Sequence, residues 1–82
     1  MEARNIRVEY FAILREERGC REEDLVTAAT SAAELFEELR MLHGFSLEAE
    51  RMKVVVNEEF RDWTHPLQEG DVVVFVPPVA GG

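Results

Sequence analysis

The fold is decided by the stretch Asp71-Val72-Val73-Val74-Phe75-Val76-Pro77-Pro78. Residues 72–76 are all apolar, and such a run is typical of a strand that lies inside a sheet and is covered on both faces. The two prolines end the strand because proline donates no backbone hydrogen bond. The stretch therefore predicts a sheet built around a central strand over residues 71–76.

Period-two alternation predicts the remaining strands. Ile6, Val8 and Tyr10 fall on one face of a strand over residues 6–11, while Arg7 and Glu9 point the other way. Further strands are predicted over 25–27 and 53–57 and near Phe60, with a tight turn at 57–59. Loops are predicted over the charged segment 15–24, over 46–51 with one helical turn around Leu47, and over 64–70 with Leu67 pointing inward.

One amphipathic helix is predicted between Ser31 and Gly44. Ser31 and Glu34 have the spacing of a capping box, in which each side chain accepts the other residue's backbone N–H. Gly44 is expected to be the left-handed residue that ends the helix, with His43 in the last turn and Phe45 packing back on it. The stripe expected to be buried consists of Ala32, Leu35, Phe36, Leu39 and Leu42.

A hairpin, one amphipathic helix and then more strands predict an α+β fold. We expect a mixed sheet of about five strands with one main helix packed across one face, and with the first and last strands adjacent and parallel. This is the β-grasp, ubiquitin-like arrangement. Residues 1–76 would form the β-grasp domain, and residues 77–82 an extended tail that ends in Gly-Gly.

The charge balance excludes several classes of partner. The chain has 9 Lys and Arg against 17 Asp and Glu, a net charge of −8. Nucleic acids and anionic membrane surfaces attract basic patches, so neither is expected as a partner. No apolar run approaches the ~20 residues that span a bilayer, and residues 1–5 lack a signal-peptide pattern. The single cysteine, Cys20, forms no internal disulfide, so a reducing cytoplasm is the expected location.

No catalytic or metal-binding set stands out. His43 is interpreted as a helix-end residue and His65 as a loop residue, and their spacing fits no metal motif. Arg18 and Arg21 would favour a thiolate at Cys20, but no base accompanies it, so it is interpreted as a loop thiol. No glycine-rich phosphate loop exists, and no permanently bound cofactor or metal is expected.

The segment Pro77 to Gly82 is the remaining candidate. A terminal Gly-Gly is often only a frayed end. Here Pro77 and Pro78 would stiffen the root, and six residues reach about 20 Å. Gly81 and Gly82 lack a β-carbon and would pass a narrow channel in a partner. The reactive group would be the α-carboxylate of Gly82, which is a poor electrophile and needs prior activation, such as adenylation.

Four stretches carry a resemblance to a known family. They are residues 8–16, Val56-Asn57, residues 66–75 and, most specifically, Pro77-Pro78-Val79-Ala80-Gly81-Gly82. Together they resemble the small subunits of molybdopterin synthase, which are ubiquitin-like sulfur carriers. Val76 departs from the pattern, since many members carry a second aromatic residue after Phe75.

The resemblance implies a carrier that is not an enzyme on its own. An activating enzyme similar to ubiquitin-activating enzymes would adenylate Gly82 with ATP and magnesium. A sulfur donor would then convert the adenylate to a thiocarboxylate. The tail, with Gly81 beside the reactive residue, would enter the large subunit of the synthase and give its sulfur to cyclic pyranopterin monophosphate. The family's complex is a heterotetramer of two small and two large subunits.

Several alternatives remain open. The partner-binding residues are expected to be Pro77, Pro78, Val79 and Ala80, joined by a docking patch at Val73 and Phe75, although these two would equally suit the core. A thiamine-pathway sulfur carrier shares the fold and the activation chemistry. A protein modifier conjugated to lysines shares the adenylate. A non-covalent β-grasp module would make no use of Gly82.

Overall fold

A computed structural model of the chain describes residues 2–78. It contains five strands, two α-helices and one turn of 3₁₀ helix at Ala49–Arg51. The strands are β1 (Arg4–Tyr10), β2 (Glu22–Thr27), β3 (Lys53–Val56), β4 (Glu59–Arg61) and β5 (Val72–Val76). The helices are α1 (Ile13–Arg18) and α2 (Ala32–His43).

The central position of β5 is confirmed. The strands form one sheet in the order β2-β1-β5-β3-β4, in which β5 runs parallel to β1 and antiparallel to β3. The register sets Tyr10 opposite Phe75 and Lys53 opposite Val76. A mixed five-stranded sheet with adjacent, parallel first and last strands and one main helix is the β-grasp fold that the pattern predicts.

The core lies between one face of the sheet and α2. Phe36 of α2 packs edge-on against Phe75, with ring centroids 5.1 Å apart, and lies 5.7 Å from the ring of Trp63. Trp63 in turn stacks on Phe75 at 6.0 Å. Leu67 points inward as predicted and is buried. Aromatic packing between α2 and β5 therefore fixes the helix over the central strand.

Both ends of α2 agree with the predicted capping residues, but one of the two hydrogen bonds of the predicted capping box is wrong. The Ser31 hydroxyl accepts the Glu34 N–H at 3.2 Å, and Gly44 ends the helix at φ 69°. The Glu34 carboxylate does not reach back to the Ser31 N–H. It accepts the Thr30 N–H at 2.9 Å and the Thr30 hydroxyl at 3.0 Å, because Thr30 offers two donors to a single oxygen.

The buried stripe of α2 is correct except at Leu42. Ala32, Leu35, Phe36 and Leu39 are buried, whereas Leu42 is 70% exposed. The stripe continues instead four residues beyond Leu39, at His43, whose ring lies 5.6 Å from that of Phe45. Phe45 is itself buried, as predicted, and closes the core below the last turn of the helix.

The charged segment 15–24 is not the loop that its composition predicts. Its first part belongs to α1, which buries Leu14 and ends at Gly19 with φ 84°. Its last part belongs to β2, which begins at Glu22. The acidic residues of β2 suit a strand because they lie at an edge of the sheet, where Arg7 of β1 binds Glu22 at 2.8 Å.

The structure shifts one predicted connection and confirms another. The helical turn expected around Leu47 lies slightly later, at Ala49–Arg51. The tight turn between β3 and β4 is confirmed, with Asn57 at φ 51° and Glu58 at φ 72°. Two consecutive left-handed residues are typical of a two-residue hairpin, and asparagine tolerates that conformation.

Candidate functional site

The root of the predicted tail leaves the sheet at its centre. Val76 is the last residue of β5 and pairs with Lys53 of β3, and the preceding Phe75 pairs with Tyr10 of β1. Pro77 is buried and Pro78 is exposed. A segment that continues β5 is therefore held at its base by strands on both sides. Val79, Ala80, Gly81 and Gly82 lie outside the described residues.

The face of the sheet turned away from α2 carries an apolar surface, called here the outer face. The register aligns Phe60, Val55, Val74 and Glu9 in one row across four strands. Phe60 is 71% exposed. The centre of the surface is an open groove with a volume of about 540 Å³. Its lining consists of Glu9, Phe11, Val55, Asn57, Glu58, Val72, Val74 and Val76.

The docking patch predicted at Val73 and Phe75 is misplaced. Both side chains are fully buried and point toward α2, so the core alternative is correct for them. Adjacent residues of a strand point to opposite faces. The apolar face of β5 that remains partly exposed is accordingly formed by Val72, Val74 and Val76.

Side-chain hydrogen bonds connect the end of β3 to the start of β5 beside the groove. The Asn57 side chain donates to the Asp71 carboxylate at 2.9 Å and accepts the Val72 N–H at 3.0 Å. The other oxygen of Asp71, which is nearly buried, accepts the Gln68 N–H at 2.8 Å. The left-handed conformation of Asn57 brings its amide into this position, so the hairpin turn also orders the start of β5.

Ion pairs line the opposite side of the outer face. The Arg7 guanidinium donates to Glu22 at 2.8 Å and to Asp24 at 2.9 Å, joining β1 to the edge strand β2. The hydrogen bond from Arg7 lowers the pKa of the Asp24 carboxyl. Glu9 lies between this charged side and the valines, and no hydrogen bond or ion pair engages its side chain within residues 2–78.

A second charged group lies on the core side of β2. Glu23 accepts two hydrogen bonds from Arg18, at 2.9 and 2.8 Å, and one from the Tyr10 hydroxyl at 2.6 Å. The bonds from Arg18, followed by that from Tyr10, lower the pKa of Glu23. Burial, together with the bond to Glu23, raises the pKa of Tyr10, which therefore stays a neutral donor. The group joins α1 to the hairpin of β1 and β2.

The two histidines and the cysteine lie in different segments of the fold. His43 occupies the last turn of α2, and His65 lies in a loop, where its carbonyl accepts the Ala32 N–H at 3.1 Å. Cys20 is half-buried and packs against the core. Within residues 2–78 no group of three or more His, Cys, Asp or Glu side chains is placed to hold a metal ion.

No helix in the described part of the chain is long and apolar enough to cross a lipid bilayer.

The outer face contains residues that sequence reasoning missed. Phe11, Val55 and Phe60 come from three separate segments and meet only when the strand order is known. The face of β5 follows once its register with β1 is known. If Ile6, Val8 and Tyr10 define the core side of β1, a parallel register with β5 places Val73 and Phe75 on that side and Val74 on the other.

The sheet order and the helix across it define a ubiquitin-like protein of the β-grasp class. The model of the ThiS family matches residues 8–82. The match extends over most of the sequence, and the chain belongs to the ThiS family. The resemblance found in the sequence is thereby confirmed at the level of the family.

Individual relatives are consistent with this assignment. The molybdopterin synthase sulfur carrier subunit of Escherichia coli is 33% identical, covering 94% of this chain and 99% of that protein. A protein of Pyrococcus furiosus, provisionally described as molybdopterin converting factor subunit 1, matches with a TM-score of 0.75 and 27% identity, covering 93% of this chain and 99% of its own.

Two further solved structures share the fold. The complex of subunits 1 and 2 of the molybdopterin-converting factor from Helicobacter pylori contains a chain that is 26% identical, with a TM-score of 0.64 and coverage of 95% and 99%. The small archaeal modifier protein 1 of Methanosarcina acetivorans matches with a TM-score of 0.78 over 100% of both chains. At 20% identity that last likeness concerns the fold alone.

Proposed function

We propose that the chain is the sulfur-carrying small subunit of a molybdopterin synthase. Membership of the ThiS family and the 33% identity to the Escherichia coli carrier subunit support this function. The structural observation that carries it is the position of Pro77 and Pro78. They follow directly on β5, whose partly exposed valines form the middle of the outer face. A partner that covers this face would meet the root of the tail at the same place.

The reaction begins with activation of Gly82. Its carboxylate attacks the α-phosphorus of ATP, pyrophosphate leaves, and a mixed anhydride with AMP remains. The persulfide of a donor attacks the carbonyl carbon and displaces AMP. A thiol then cleaves the bond between the two sulfurs and leaves a thiocarboxylate on Gly82. ATP, magnesium and the activating enzyme serve only this step, so the carrier retains no cofactor.

The large subunit supplies the pocket for the pterin. The groove of the outer face is lined by valines, Phe11, Asn57 and the carboxylates of Glu9 and Glu58, and no cationic side chain is part of that lining. Such a lining offers a phosphate-bearing substrate no cationic partner and suits an apolar protein surface. We therefore assign the outer face to subunit docking. Binding of cyclic pyranopterin monophosphate and stabilisation of the transition state fall to the partner.

Assembly and location follow from the same proposal. Two carriers and two large subunits form the complex, in the cytoplasm, where the single thiol of Cys20 stays reduced. The complex of subunits 1 and 2 from Helicobacter pylori supports a partnership of this kind.

The deciding experiment is intact mass spectrometry. The full chain is incubated with ATP, magnesium, the activating enzyme and a persulfide donor, and its mass is expected to rise by the difference between sulfur and oxygen at Gly82. Deletion of Gly82 should abolish this gain and leave the thermal unfolding curve unchanged. An unmodified mass in the intact chain, with an active enzyme, would contradict the proposal.

The molecule that receives the sulfur, or the activated carboxylate itself, distinguishes the remaining alternative functions. Addition of the large subunit and cyclic pyranopterin monophosphate should return the carrier to its original mass and yield the dithiolene product. Sulfur transfer only to thiamine-pathway enzymes would indicate the other carrier function. An isopeptide bond to a lysine would indicate a protein modifier. A chain that remains fully active with a C-terminal tag would be a non-covalent module.

A further inference from the structure

A second groove lies on the helix side of the molecule, between α2 and the 3₁₀ turn. It has a volume of about 500 Å³. Its apolar part is formed by Ala33, Ala49 and the half-buried ring of Trp63. The Trp63 ring is held in place from the core side, because it stacks on Phe75 with an interplanar angle of 8°. The groove therefore presents a rigid aromatic wall rather than a mobile surface side chain.

The ionisable residues that line this groove are all acidic. Its three ionisable residues are Glu34, Glu37 and Glu50, and no cation belongs to the lining. Glu34 is engaged by Thr30, so it is part of the helix cap. Glu37 makes a single exposed contact with Arg40 at 3.4 Å, and Glu50 has no ion pair within residues 2–78. The Glu50 carboxylate and the second oxygen of Glu37 thus remain available to a cation at this rim.

We propose that this groove docks a protein segment that presents an arginine side chain between apolar neighbours. A guanidinium is planar and weakly hydrated, so it stacks on an indole ring and donates to carboxylates at its edge. Ala33 and Ala49 in the lining leave space for small apolar contacts. The net charge of −8 adds a long-range attraction for a basic partner.

This surface is separate from the outer face. Trp63 packs on Phe75, which points to the core side of β5, whereas Val74 points to the other side of the sheet. A basic segment held by Trp63 would therefore bind while the outer face is occupied by another protein. The inference does not depend on sulfur transfer and describes a second, independent partner.

The test uses the full chain and two peptides. The basic probe is acetyl-Leu-Arg-Leu-amide, and the matched probe replaces arginine by citrulline, which keeps the shape and removes the charge. Trp63 is the only tryptophan, so its indole N–H gives a single, assigned NMR signal. We expect that signal and the amides of Ala33 and Ala49 to shift saturably with the arginine peptide. The citrulline peptide should bind at least fivefold more weakly.

Charge-matched variants locate the site. The double variant Glu37→Gln with Glu50→Gln should weaken the arginine peptide roughly fivefold, since it removes two exposed ion pairs. The control, Glu2→Gln with Glu16→Gln, removes the same charge at exposed positions away from the groove and should leave affinity within about twofold. An unchanged NMR spectrum in the absence of peptide verifies the fold of each variant.

Three results would overturn the docking site. One is an indole signal that does not respond to the arginine peptide. Another is equal affinity for the citrulline peptide, which would leave only apolar contact. The third is equal weakening in both double variants, which would reduce the effect to overall charge. Sulfur loading of Gly82, measured in the same variants, is expected to stay unchanged, so the two proposals fail separately.

Discussion

The two faces of β5 carry nearly the same residues and meet opposite environments. Val73 and Phe75 are fully buried beneath α2, whereas Val72, Val74 and Val76 remain partly exposed on the outer face. Valine is apolar on either side, so residue type does not decide burial. The helix decides it, because it covers one face only. An apolar face that no element within residues 2–78 covers is a candidate surface for contact with another protein.

The largest effect is expected when the covered face is altered. Phe75→Ala removes a ring that contacts both Phe36 and Trp63, and it should lower the free energy of unfolding by about 3–5 kcal/mol. Val74→Ala, one residue earlier on the outer face, should cost less than about 1 kcal/mol. Urea unfolding of the two variants measures the difference. Similar losses at both positions would show that the outer face contributes to the core.

A charge on the uncovered face should affect binding rather than folding. Val74→Asp places a carboxylate in the middle of the groove, and affinity for the large subunit should fall by about 2 kcal/mol, roughly 30-fold. Calorimetric titration measures this loss. The matched control is Val26→Asp on the edge strand β2, where valine is 64% exposed and does not line the groove. The register with Asn5 places Val26 on the same side of the sheet as the groove, so equal loss in the control would assign the effect to charge anywhere on the outer face and not to the groove.

Glu23 is an ionisable residue that already lies on the core side of the sheet, so its replacement tests how a charge contributes to stability on that face. Its pKa is lowered in the folded chain by hydrogen bonds from Arg18 and Tyr10. A lowered pKa stabilises the folded state above the unfolded pKa of about 4.3, and this contribution disappears as the pH falls through the folded value. Glu23→Gln should cost about 1–2 kcal/mol at pH 7, since Arg18 loses its partner.

The control for Glu23 is the pH dependence itself. The stability difference between the natural chain and Glu23→Gln should be full at neutral pH. It should shrink as the pH falls below the unfolded pKa and through the lowered pKa of Glu23 in the folded chain. Denaturant unfolding at a series of pH values measures it. A constant difference at every pH would assign the loss to packing instead of charge.

The smallest effect is expected at Leu42. This leucine is 70% exposed on α2, so Leu42→Gln should change the free energy of unfolding by less than about 0.5 kcal/mol. Leu39→Ala, on the buried stripe one turn earlier, should cost about 2–5 kcal/mol. Thermal unfolding compares the two. A large loss at Leu42 would show that the stripe does extend to it.

Local patterns in the sequence predict most of this fold and little of its surface. Ser31 and Gly44 bound α2 because caps depend on neighbouring residues, and the run 72–76 predicts a central strand because apolar content reflects burial. The choice between Leu42 and His43 depends on where the helix leaves the sheet, which no local pattern contains. The outer face likewise depends on strand order and register.

The sequence likewise predicts one part of the candidate site and not the other. The tail motif at Gly81-Gly82 is read from the sequence, and it stays a prediction because these residues lie outside the described part of the chain. The predicted docking patch at Val73 and Phe75 lies on the wrong face of β5, since a continuous apolar run does not show which alternate residues face the helix. The loop predicted over 15–24 is wrong, because its many charged residues outweigh the buried Leu14 in the sequence pattern and because an edge strand such as β2 tolerates charged residues.

The place of β5 between β1 and β3 also has a consequence for synthesis. Residues 4–10 are made early, yet their parallel partner is made only after more than sixty further residues. The sheet cannot close until residues 72–76 have left the ribosome, and such distant pairing slows folding. The nascent chain thus holds β1 and β3 without the strand between them, and exposed edges of that kind are where chaperones or aggregation would act.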